Sequence, residues 1–82
     1  MIGELTEERF LQLKIEERFL QLKIEELMIE KEHFRLLKES YEDLCWNNPT
    51  NSSYEILFKQ AQDNYDLISE KLSVYNSLLM NI

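Results

Sequence analysis

Residues Glu7–Ile24 read EERFLQLKI-EERFLQLKI, the same nine residues twice without a mismatch, and no glycine or proline follows until Pro49. A helix turns about 100° per residue, so nine residues turn it by about 900°, which is half a turn out of phase. The second copy therefore points its apolar side chains opposite to the first. Phe10 and Leu13 fall on one side, Phe19 and Leu22 on the other. A helix apolar on both sides is unstable in water, and one neighbour cannot cover it.

Outward from the repeat, Thr6 is placed to cap the helix start, with Glu7 and Glu8 at its positive end. The spacing predicts a first helix over 6–46, about 40 residues and roughly 60 Å long. Two apolar stripes run through its first half. One is Phe10, Leu13, Leu20, Ile24, Leu27 and Met28; the other is Leu11, Ile15, Phe19, Leu22 and Ile29. Beyond them lies one broader stripe of Phe34, Leu36, Leu37, Tyr41 and Leu44.

The one break is Asn47-Asn48-Pro49-Thr50-Asn51-Ser52. Pro49 disfavours helical geometry at Asn48. Ser52 with Glu55 fits a capping box, and a second helix is expected over 53–80. Its stripe of Tyr54, Leu57, Phe58, Ala61, Tyr65, Ile68, Leu72, Tyr75 and Leu79 advances by steps of one, three and four. Ile56, Leu67, Val74 and Leu78 form a sparser second row. Glu55 and Lys59 are ordered for an i,i+4 pair.

A six-residue loop makes the helices antiparallel neighbours. The fold expected is all-α: a single antiparallel two-helix hairpin domain over 1–82 that completes a helical bundle or coiled coil by oligomerisation. Expected hairpin packing residues are Leu36, Leu37, Tyr54, Leu57, Phe58, Tyr65, Ile68, Leu72 and Tyr75. The second helix spans ~40 Å and reaches back only to about Leu20. The first copy overhangs, with Phe10, Leu11, Leu13 and Ile15. Burying each such side chain is worth ~1.5–3 kcal/mol, a large sum against the stability of a small domain. Phe10, Leu11, Leu13, Ile15, Phe19, Leu20, Leu22 and Ile24 are therefore the expected interface with another chain.

Composition bounds the function. The 82 residues carry a net charge of −7. That argues against a phosphate backbone and an anionic membrane surface as partners. Met1-Ile2-Gly3-Glu4 opens no signal peptide, and no apolar run approaches the length of a membrane span, so a cytoplasmic location is expected. Cys45 is the only cysteine and reads as a small hydrophobe near a helix end. His33 is the only histidine. Glu30-x-x-His33 matches half of a di-metal carboxylate motif, but no second His or Cys at ligand spacing supports it. No phosphate loop or nucleophile–base pattern is present, so the chain reads as a non-enzyme with no catalytic residue, metal or cofactor.

Residues Pro49 to Leu79, with Tyr54 near the helix start followed by Leu57 and Gln60, resemble the second half of the small co-chaperones of type III secretion needle subunits. The resemblance implies a helical hairpin that sits with a larger chaperone and keeps a secreted subunit soluble. The first helix is longer than that family has it, and the repeat, a natural tandem duplication or an engineered insertion, is foreign to it. The expected function is a protein-interaction hairpin that self-associates, as a homodimer or higher oligomer, or holds a partner helix. The alternative is a small acidic inhibitor or antitoxin-like protein that blocks a basic site on another protein.

Overall fold

A computed structural model describes residues 6–81, and the reading of residues 1–4 lies outside them. Two helices account for almost all of the described chain: α1, Glu7–Asn47, and α2, Ser52–Met80. They lie side by side in a hairpin with extents of 70 × 16 × 13 Å.

Each helix end has a local cause. At Thr6 the backbone is extended and Oγ1 accepts from the Arg9 N–H at 3.1 Å, which satisfies one of the helix's free donors. Before Pro49 the backbone of Asn48 leaves helical geometry, with φ −138° and ψ 64°. Its N–H still closes the last turn onto the Leu44 carbonyl at 2.9 Å. The expected capping box at Ser52 does not form. Asn51 caps α2 instead, its Oδ1 accepting from the Ser53 N–H at 3.0 Å. A turn from Asn48, closed by the Asn51 N–H on the Asn48 carbonyl at 3.0 Å, delivers Asn51 to the helix entrance first. Among the described residues Glu55 and Lys59 form no ion pair within 4.0 Å.

The seam between the two helices has a regular seven-residue period. On α1 one column counts by seven through Leu13, Leu20, Leu27, Phe34 and Tyr41. A second counts through Glu17, Ile24, Lys31, Lys38 and Cys45. On α2 the columns are Tyr54, Ala61, Ile68, Tyr75 and Phe58, Tyr65, Leu72, Leu79. Every one of these positions is buried or half-buried, and from Leu20 onward, where α2 lies alongside, they form the seam. The tightest part joins Leu27 to Ile68 and Leu72, with Ile24, Phe34 and Tyr75 packed around them.

Two of the expected interface residues, Leu20 and Ile24, belong to this seam rather than to a surface for another chain. Two expected packing residues do not belong to it. Leu36 is 51% exposed because it lies two residues, about 200°, past Phe34. Leu57 is 37% exposed because it precedes Phe58 by one residue and falls at the seam's edge. Leu37 is half-buried at the corresponding edge of α1.

Candidate functional site

The α1 seam is chemically one-sided. Its first column is wholly apolar, while the second places Lys31 and Lys38 among the packed positions. Tyr65 makes the two lysines tolerable: the Lys31 and Lys38 ammonium groups lie 5.4 and 4.9 Å from its ring centroid. Each such contact is worth ~0.5–1 kcal/mol at a partly wet site. The paired cations also favour this register, because sliding by one heptad would leave only one of them on the ring.

α2 ends where Leu78 meets Leu20 across a shared groove. Residues 7–19 of α1 run on past it, about 20 Å of helix. Phe10, Leu11 and Ile15 are exposed there and Leu13 is half-buried, the overhang that helix lengths predict. Lys14 lies over part of it, its ammonium 5.7 Å from the Phe10 ring centroid.

A second apolar column lies on the back of α1. Ile15, Leu22, Ile29 and Leu36 repeat every seven residues, opposite the seam, and all are exposed, Ile29 by 73%. Phe19 stands beside this column and, with Ile15, Leu20 and Leu78, walls an open apolar groove at the end of α2.

The two broad faces of the hairpin also differ. One groove contains Met28, Lys31, Glu32, Arg35, Ser69, Ser73 and Asn76. The opposite face carries Phe19, Leu57, Leu67, Val74 and Leu78, all exposed, with half-buried Leu37 and Leu44. Leu37 and Leu44 were legible as part of a broad stripe; their membership in one flat face with Leu67, Val74 and Leu78 needed the pairing of the two helices.

Charge is organised along the polar face. Arg35 donates from Nε to Glu32 at 2.9 Å and from a terminal nitrogen to Glu39 at 2.7 Å. A second terminal nitrogen also bonds Glu32. The hydrogen bond from Arg35 holds the Glu32 carboxyl below the usual carboxylate range, and the same bond raises Arg35 further. Glu32 is exposed and Arg35 half-buried at the surface, so the cluster orders the surface without storing much stability.

His33 stands edge-on to the Phe34 ring at 5.4 Å and is otherwise exposed. Among the described residues no group of three His, Cys, Asp or Glu side chains is placed to hold a metal. Trp46 is 80% exposed at the hairpin tip, where it lines a shallow groove with half-buried Cys45, Pro49 and Phe58. No described helix is long and apolar enough to cross a membrane. Comparison with protein-family models, with curated proteins and with solved structures finds no match to this chain.

Proposed function

We propose that this chain is a non-enzymatic protein-interaction module, a cytoplasmic helical hairpin that associates with itself or with a partner helix through apolar surfaces. One observation carries the reading. Among the described residues fifteen large apolar side chains are exposed, against five residues buried as a core. A core of five residues supplies little stability for a chain of 82. The exposed set is ordered rather than scattered, with the back of α1 counting by seven as a coiled-coil partner would require. A helix laid along that column is the recognition mode it fits.

The chaperone-type role implied by the resemblance to the needle-subunit co-chaperones is the finer form of the same reading, with an amphipathic secreted helix as the guest. The acidic-inhibitor alternative draws on the net charge of −7. Salt separates the two. Association through apolar columns should persist in 0.5 M salt, whereas a charge-led complex should weaken steeply. The test is solution mass by light scattering over a wide concentration range. Masses above that of one chain that survive added salt are expected. A well-folded single chain at millimolar concentration, unchanged in mass by added amphipathic helices, would end the proposal.

A further inference from the structure

We infer that the apolar broad face binds a second copy of this chain, with both loops at the same end, so that Glu30 of each copy lies over Lys71 of the other. This rests on the interaction-module reading and names its partner and geometry.

In the seam's register, Leu44 faces Leu57 across the near edge, Leu37 faces Asn64, Glu30 faces Lys71 and Lys23 faces Leu78. The register follows from Lys31 and Lys38 on Tyr65, and from Leu20 beside Leu78. Glu30 and Lys71 are exposed, and neither joins an ion pair within 4.0 Å among the described residues. They are opposite charges near the middle of a face whose apolar residues are Leu37, Leu44, Leu57, Leu67, Val74 and Leu78, and whose edge rows also carry Lys23 and Asn64.

Two arrangements are open to a symmetric face-to-face dimer. A two-fold axis along the helices puts α1 of one copy over α2 of the other at every level. Glu30 then meets Lys71 twice, and Leu44 meets Leu57 twice. A two-fold axis across the helices, centred on the same level, instead places Glu30 over Glu30 and Lys71 over Lys71. Like charges at a contact surface are strongly disfavoured, so the first arrangement wins.

The size is also right for a dimer. A face as long as α2, ~43 Å, and 16 Å wide covers about 700 Å² per copy in projection, close to the ~800 Å² per partner of a standard interface. The opposite face offers no such match, because Arg35, Ser69, Ser73 and Asn76 occupy it.

The lone cysteine gives a direct test on the unaltered chain. Spin labels on Cys45 should lie within about 20 Å of each other if the loops share an end, since that is the width of two adjacent helices. If the loops lay at opposite ends, fifteen residues on each side of Glu30 would separate the labels by ~45 Å. Charge reversal is the second arm. Glu30→Lys alone and Lys71→Glu alone should each weaken the dimer on the order of tenfold, and the double variant should restore it. Leu67→Glu should also weaken it, and Met28→Glu, on the other face, should not. Circular dichroism shows whether each variant keeps its helices. A dimer with separated labels, or one indifferent to the single reversals, overturns this inference and leaves the interaction module standing. A chain that associates neither with itself nor with an added amphipathic helix overturns both.

Discussion

Leu11 and Leu20 occupy the same place in two identical nonapeptides, yet Leu11 is 52% exposed and Leu20 is 8% exposed. Ile15 and Ile24 diverge in the same way, one in water and one packed on the core. Leu13 and Leu22 diverge in the opposite sense, since Leu13 turns toward the seam side and Leu22 away from it. The polar positions follow. Gln12 bonds forward to Glu16 at 3.2 Å, and Gln21 bonds back to Glu17 at 3.4 Å. Neighbours within one turn pair alike in both copies: Lys14–Glu17 and Lys23–Glu26 repeat at 3.7 and 3.6 Å, although the more exposed partner is the lysine in the first copy and the glutamate in the second. The local sequence decides that these residues are helical and how they pair within a turn. The half-turn offset and the reach of α2 decide which are buried.

The contrast is sharpest at the two leucines. Leu20→Ala should cost ~2–3 kcal/mol, the low end for a packed leucine because the site lies at the end of α2. Leu11→Ala should stay within ~0.5 kcal/mol in dilute solution. Urea melts measure both, and equal losses would mean that the two copies share the contact with α2.

Removing Glu7–Ile15 should have a smaller effect on folding. Thr6 would then stand before Glu16 as it now stands before Glu7, so the cap sequence survives, and every seam position from Leu20 onward remains. The melting transition should move by less than ~1 kcal/mol equivalent, while any association through the overhang disappears from light scattering. A large loss of stability would show that the overhang folds back on its own chain.

The smallest effect belongs to the repeated ion pairs. Lys14→Ala and Lys23→Ala should each cost a few tenths of a kcal/mol, alike in the two copies and erased by 1 M salt. Thermal melts of the two variants that differ clearly would show the pair responding to the seam after all.

Helix ends were readable to within a residue because their signals are local: Thr6 before two glutamates, Pro49 after two asparagines. Asn51 replaced Ser52 as a cap because both are good cap residues and only the turn geometry ranks them. The choice between the two apolar columns of α1 was harder, since each is apolar through the repeat. The loop breaks the tie. It forces contact from the hairpin tip, where the inward columns offer Tyr41 and Cys45, whereas the back column arrives at Asp43. Counting by sevens from Tyr41 returns Phe34, Leu27, Leu20 and Leu13, so the signal was present in the sequence. The pairing of Lys31 and Lys38 with Tyr65 was not, because two lysines on an apolar stripe look like an interruption until a ring is placed beneath them.

A unit that rotates its own copy by half a turn makes repeat number behave as a parity. One further EERFLQLKI would carry Thr6 to the opposite flank of the rod, and two would bring it home some 27 Å farther out. An array lengthened this way would show its grease alternately left and right. Its tip would select between docking sites on opposite sides simply by counting odd or even.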